Sequence, residues 1–335
     1  MTDLLKHLCL IDATSGDEDA VREFVISQIK DFCEYRVDNL GNVIAFKKGK
    51  ATPSKKILID AHLDEVGLII THIESNGFLR FTTVGGIDTA ALMFRRVLIN
   101  GKTLGVIGGK PVHLCDADER KKLPGADSLY IDIGVTTDKE AEELLSVGDC
   151  AVMCSDFTIA GEKILAKALD DRVGCAVLID LLKQDSEYDF YASFSVQEEV
   201  GLRGAGAVAF SVEPDAAIVI DGTTAADVAG VVESKRVCCQ GKGAVVSFMD
   251  GATSYDRDYY NAALSSGIPA QSKCAVAGGN NSGAIHLSRG GVRVVALSVP
   301  CRYIHTAGST CDMHDVVAVR DLTKYMINKI ASGQL

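Results

Sequence analysis

The chain has 335 residues, 47% hydrophobic and 24% charged, with a formal net charge of −11. That length suits one large α/β domain or two domains. The lack of a basic stripe argues against nucleic acid or anionic lipid as partners, and no apolar run reaches the roughly 18–20 residues of a membrane span. The eleven cysteines are scattered and odd in number, which fits small core residues in a reducing compartment better than a disulfide framework. With no basic-then-apolar order at the N-terminus, a cytoplasmic protein is expected. The absence of tryptophan and only 6% aromatic residues argue against a sugar cleft lined with stacking platforms.

Taken in chain order, an amphipathic helix is expected over residues 2–12. A second is expected over 18–35, where Val21, Phe24, Val25, Ile29 and Phe32 recur at helical spacing behind a cap at Ser15-Gly16-Asp17. Asp38-Asn39-Leu40-Gly41-Asn42 reads as a turn between extended segments, leading to an apolar strand that stops at His62. From 66 to 157 the texture changes to short alternating runs, such as 77–84 and 96–100, separated by glycine turns. This predicts an inserted all-β unit with one short helix at 138–145 and an exposed polar loop at 116–125. The α/β pattern then resumes, with a helix at 171–183, strands at 188–196, 216–220 and 292–299, and a closing helix at 319–332. The expected fold is a mixed α/β sheet flanked by helices, built from residues 1–65 and 158–335, with 66–157 as a β-barrel-like insertion.

Four of these apolar runs stop on, or just before, a metal-capable side chain: His62, the pair Glu198-Glu199, Asp221 and His305. Ligands of open α/β sheets gather at the carboxyl ends of strands, so these positions can share one crevice. A fifth candidate, Asp170, lies in Ala168-Leu169-Asp170-Asp171-Arg172 at a helix N-terminus. Imidazole nitrogen and carboxylate oxygen suit zinc-type ions, and five ligands suffice for two ions that share one carboxylate. In Glu198-Glu199 one carboxylate can ligate while its neighbour takes a proton. Asp64 is spaced to accept the second ring N–H of His62. Taken singly, each feature has an ordinary reading: a loop hydrogen-bond pair at His62-Leu63-Asp64, a helix cap at Asp170-Asp171, solvated surface at Glu198-Glu199, a turn former at Asp221, a core histidine at His305. Their order and shared sheet edge favour a metal centre.

The segments Ala61-His62-Leu63-Asp64-Glu65-Val66-Gly67, Ala168-Leu169-Asp170-Asp171-Arg172, Gln197-Glu198-Glu199-Val200-Gly201, Val219-Ile220-Asp221-Gly222-Thr223 and Pro300-Cys301-Arg302-Tyr303-Ile304-His305 resemble those of the tetrahedral aminopeptidases. That family comprises glutamyl and deblocking enzymes sometimes labelled cellulase M. The resemblance runs in order over nearly the whole chain, including Lys110-Pro111-Val112-His113-Leu114 and Ile131-Asp132-Ile133-Gly134 in the insertion. It implies a dinuclear zinc exopeptidase-like fold with two divalent ions, zinc or cobalt. One ion would be held by His62, Asp170 and Asp221, the other by Asp170, Glu199 and His305, with Asp170 bridging. Glu198 would be the general base and Asp64 the orienter of His62. The implied activity is release of N-terminal residues from small peptides by a hydroxide bridging the ions. The implied assembly is a homo-oligomer, a dodecamer built from dimers, with the insertion shaping contacts and access.

Two departures from the family pattern stand out. Its Thr-Asp pair is replaced by Asn280-Asn281, and the stretch after His305 lacks the usual proline and glutamate; both bear on pocket geometry and substrate preference. Alternative activities on the same centre are N-acyl amino acid deacylation and a carboxypeptidase-like cleavage. Glycoside hydrolysis would need two carboxylates flanking a sugar bond rather than five ligands, and a non-catalytic assembly protein would have little use for the ligand set. Residues 278–291 lack the order of a phosphate cradle and read as a turn. Cys238-Cys239, Cys150, Cys154, His113 and His286 read as packing residues, and Lys55-Lys56 and Lys121-Lys122 as solvated charges.

Overall fold

The structure, a computed structural model, describes residues 1–335. One eight-stranded mixed sheet has the order Glu34–Val37, Val43–Lys47, Phe190–Ser195, Ile57–His62, Ala216–Thr224, Arg293–Cys301, Ala244–Val246, Ala270–Ser272. Its four central strands are parallel, with antiparallel partners on either side. Strands buried on both faces need apolar residues at consecutive positions, which is why these runs lack alternation. Ile57, Ile59 and Ala61 enter a 48-residue core with helices Thr2–Leu10, Asp19–Ile29, Leu169–Lys183 and Met313–Ala331. On the other face Leu58, Ala217 and Val219 join a 12-residue core with helices Arg203–Val212 and Ser282–Ile285.

Between Ile57–His62 and the rest of the sheet the chain leaves to form a closed six-stranded barrel. Its order is Gly67–Ile73, Leu79–Val84, Tyr130–Asp132, Thr103–Gly108, Arg96–Ile99, Cys150–Met153. Leu68, Ile70, Phe81, Val97, Ile107 and Ile131 point into its own 14-residue core. The mixed α/β class with a small barrel is therefore as the sequence predicts. All eleven cysteines are free, and Cys9, Cys175, Cys238, Cys301 and Cys311 are buried. No helix is long and apolar enough to cross a membrane.

Several element boundaries differ from expectation. The second helix ends at Ile29, and Glu34 and Tyr35 lie in an exposed edge strand paired with Phe46 and Ala45. The cause is the turn at Asp38, whose Oδ1 accepts the N–H groups of Leu40, Gly41 and Asn42 at 2.9, 3.1 and 3.0 Å. That turn folds the preceding residues back as a hairpin. Phe32, placed by periodicity on the buried stripe, is accordingly 45% exposed. The first helix stops at Leu10. The barrel helix spans only Asp138–Glu142, behind a reciprocal cap between Thr137 and Glu140. The closing helix begins earlier, at Met313, where the Asp312 carboxylate accepts the His314 N–H at 2.9 Å.

Candidate metal centre

The parallel register sets the carboxyl ends of the four central strands side by side. His62 pairs with Ser195, just before Gln197-Glu198-Glu199, and Asp221 pairs with Ser298 near the end of the strand that leads to His305. The turn after Ser195 passes through Gln197 at φ +58, and His305 itself sits at φ +59. Asp170 comes from outside the sheet, at the start of Leu169–Lys183. There it (φ −85, ψ 107) and Asp171 (φ −118, ψ 42) leave the helical conformation. Gly222 permits this approach, since a Cβ there would come within 3.0 Å of the Asp170 Cβ.

Six of the seven sequence-predicted residues meet at one point. Asp170 lies between two imidazoles: His62 Nε2 is 3.4 Å from its Oδ1, and His305 Nε2 is 3.5 Å from its Oδ2. Asp221 Oδ1 is 3.8 Å from His62 Nε2, and Glu199 Oε1 is 3.1 Å from His305 Nε2. Glu198 Oε2 stands 4.0 Å from His62 Nε2. In each of the trios His62/Asp170/Asp221 and Asp170/Glu199/His305, ligand atoms lie within 4.8 Å of one another.

The seventh residue, Asp64, works from behind. It is 0% exposed and its Oδ1 is 3.3 Å from His62 Nδ1. Its two oxygens accept the backbone N–H groups of Glu198 and Glu199 at 3.0 and 3.1 Å, and Ser15 Oγ donates to Oδ2 at 2.6 Å. One carboxylate thus orients an imidazole and fixes the turn that presents both glutamates. Glu18 Oε1 adds a bond from the Gln197 N–H at 3.1 Å. Arg172, fully buried, donates to the carbonyls of Leu63 and Ile11 at 3.0 Å each and to Leu8. It ties the first helix to the His62 loop.

The electrostatics follow from six carboxylates in a buried space: Asp64, Asp170, Asp171, Glu198, Glu199 and Asp221. Burial pushes Glu198 up to about 8, with the charges of Glu199, Asp170 and Asp64 adding to the push and His62 opposing it. Burial likewise raises Glu199, and it raises Asp221 well above the carboxylate range, where Asp170, Asp171 and Glu198 add to it. Burial opposes charge on His305, but hydrogen bonds to Asp170 and Glu199 lift it to about 11. Asp170 is held below its ordinary value in spite of burial, because both imidazoles face it. Desolvated carboxylates in such numbers need compensating positive charge. Asp170 Oδ1 is also buried without a hydrogen-bond partner. Mixed imidazole and carboxylate donors converging in this way fit divalent cations of the zinc class.

Beside the trios opens a cleft of about 280 Å³, lined by Asp170, Glu198, Glu199 and Asp221 and walled by Gly278, Gly279 and Asn280. Lys273 is the one lysine on its lining, and no arginine is present there. Sequence reading missed Lys273, the Ser15 and Glu18 contacts, and the Gly86 carbonyl from the barrel, which lies 2.7 Å from His305 Nδ1. It also missed Asp171, whose Oδ2 accepts the His62 N–H at 3.2 Å, and Asp60, an acid inside an apolar strand. That last misfit was the one legible signal. His113 and His286 lie outside the cluster, and the His286 ring meets the Ser282 carbonyl at 2.7 Å.

Comparison with known proteins agrees with this geometry. The chain is 31% identical to the lysyl aminopeptidase of Pyrococcus furiosus over 98% of this chain and 97% of that one. A TET aminopeptidase from a marine-sediment archaeon of the Thaumarchaeota superposes with a TM-score of 0.93 at 34% identity, covering 98% and 96% of the two chains. The Pyrococcus horikoshii TET1 peptidase, described as assembling into a tetrahedron or a large octahedral shell, gives a TM-score of 0.83 at 35% identity over 96% and 97%. A family model for the M42 glutamyl aminopeptidases matches residues 41–322. The chain belongs to the M42 glutamyl aminopeptidase family and is a peptide hydrolase of the aminopeptidase type.

Proposed function

We propose that this protein is a two-metal aminopeptidase, with His62, Asp170 and Asp221 holding one divalent ion and Asp170, Glu199 and His305 the other. Asp170 is shared, and zinc or cobalt suits the donor set. The observation that carries the reading is Asp170 set between two imidazoles, one on each carboxylate oxygen. When bound, such ions supply Lewis-acid polarisation of the scissile carbonyl and electrostatic stabilisation of the negative charge that develops on it.

The chain's own residues supply the rest. Glu198 accepts a proton from the attacking water and passes it to the leaving amine nitrogen. Burial and the neighbouring carboxylates hold its pKa up at about 8 in the metal-free site, and cations bound beside it lower that value and favour the ionised, proton-accepting form. Asp64 keeps the His62 ring and the Glu198-Glu199 turn in place. Lys273, half-buried on the cleft wall with its Nζ donating to the Ala277 carbonyl at 3.1 Å, favours an acidic first side chain. The working form is a homo-oligomer, a dodecamer built from dimers, in which residues 66–157 act as the assembly and access unit around a catalytic unit of 1–65 and 158–335. The protein acts on small peptides in the cytoplasm.

The decisive experiment is a screen of free and N-acetylated aminoacyl chromogenic substrates after chelation and re-addition of single divalent ions. Turnover of free-amine substrates, lost on chelation and restored by zinc or cobalt, is the expected outcome. Turnover of N-acetylated substrates alone would instead make it a deacylase. A sedimentation profile confined to monomer would remove the assembly claim.

A further inference from the structure

The strand that carries His62 holds another carboxylate that neither metal trio nor the base position uses. Asp60 shares a sheet face with His62, two residues along, and is 0% exposed. Three donors converge on it: Ser193 Oγ at 2.5 Å and Ser195 Oγ at 3.2 Å from the neighbouring strand, and Asn281 Nδ2 at 2.8 Å. The same Nδ2 donates to Ser195 Oγ at 2.8 Å. A carboxylate so deeply buried persists only with donors of this kind.

Asn281 differs from the two serines because it comes from outside the sheet. It directly follows Gly278, Gly279 and Asn280, which wall the cleft beside Asp170, Glu198 and Asp221. Consecutive glycines give that wall little stiffness of its own, so its position depends on its anchors. The Gly278 carbonyl accepts the Gly251 N–H at 2.8 Å, and Asn280 Nδ2 donates to the Tyr255 hydroxyl at 3.0 Å. Both of these tie the wall to an adjacent loop. The side-chain bonds that tie it to the central sheet, and so to the metal centre, are those of Asn281.

We propose that Asn281 and Asp60 form a latch that fixes the spacing between the glycine-rich wall and the metal centre, and thereby selects the N-terminal side chain that the cleft accepts. Both are positioning residues, acting through the wall. The polarity of the pair matters: acceptor on the strand, donor on the wall. A carboxylate at 281 would face Asp60 acceptor to acceptor, and an apolar residue there would leave Asp60 one donor short.

The inference takes its substrates from the aminopeptidase reading. Asn281→Asp, Asn281→Leu and the double variant Asp60→Asn/Asn281→Asp are compared with the unsubstituted, metal-loaded protein. The substrates are an aminoacyl series graded in side-chain size and charge, with metal content and thermal midpoint measured alongside. Each single variant is expected to raise KM roughly tenfold for the preferred side chain, by unequal factors across the series, with kcat and metal content less affected. The double variant restores one donor and one acceptor with their direction reversed, and it is expected to recover most of the KM and the original preference. An unmoved KM overturns the latch, as does a uniform loss across all side chains that the double variant does not repair. Should the single variants fail to fold, the double variant decides: an altered preference in a folded, metal-bound protein overturns the proposal. An unsubstituted protein without turnover would remove the aminopeptidase reading and the latch with it, whereas normal turnover with an unchanged pattern of KM removes the latch alone.

Discussion

His305 Nδ1 lies 2.7 Å from the carbonyl oxygen of Gly86, a residue of the barrel 219 positions earlier in the chain. The contact fixes the ring so that Nδ1 donates and Nε2 faces Glu199 and Asp170, the arrangement that a metal-binding imidazole needs. The barrel is thereby part of the site. Next to Gly86, Gly85 has φ +81, and a Cβ there would come within 2.8 Å of Val66 Cγ1 and 3.3 Å of Glu199 Cβ. Gly85→Ala is therefore expected to shift the Gly86 carbonyl and weaken binding of the ion proposed at Asp170/Glu199/His305 by about tenfold or more. The ion at His62/Asp170/Asp221 should be affected less. Metal titration followed by elemental analysis reads the two stoichiometric steps, and equal weakening of both would count against the contact.

The two adjacent glutamates are expected to respond differently to the same change. Glu198→Gln should keep its metal while kcat falls roughly a hundred- to ten-thousand-fold. Glu199→Gln should lose much of the proposed second ion, because it removes a carboxylate from the trio with Asp170 and His305. Metal analysis of both purified variants separates the roles, and metal loss in Glu198→Gln would reverse the assignment.

Stability of the metal-free protein should fall as pH rises. Glu198 is raised from 4.5 to about 8, so the folded state holds a proton that the unfolded chain releases, and the stability linked to it is lost between those values. His305 is raised from 6.5 to about 11; its contribution is complete below 6.5 and is lost as pH climbs toward 11. The two losses overlap between about 6.5 and 8, where the thermal midpoint of the chelated protein should decline most clearly. Added zinc competes with these protons and should flatten the decline. A midpoint that rises across this range after chelation would contradict the charge balance described for the site.

Lys273 gives the cleft its one lysine, and its half-buried position keeps it from being fully screened. Lys273→Glu is expected to reduce kcat/KM for glutamyl and aspartyl substrates roughly tenfold or more and to improve lysyl substrates, through like-charge repulsion in the first case and attraction in the second. Unchanged ratios between acidic and basic substrates would place the selecting group elsewhere.

What the sequence determined by itself was the part written in local periodicity. The two-faced apolar runs ending at His62 and near Glu198, Asp221 and His305 specify a buried parallel sheet, and the short alternating runs that follow His62 specify the strands of the barrel, because burial on two faces and burial on one leave different patterns. Tertiary structure decided what depends on contacts between distant segments. It ended the second helix at Ile29, since pairing of Glu34–Val37 with Val43–Lys47 outweighs a helical stripe that the isolated segment could also form. It brought the Gly86 carbonyl to His305, Ser15 to Asp64, and Asn281 to Asp60. A backbone carbonyl carries no residue signature, and hydrogen bonds across 49, 219 and 221 positions leave no spacing to read.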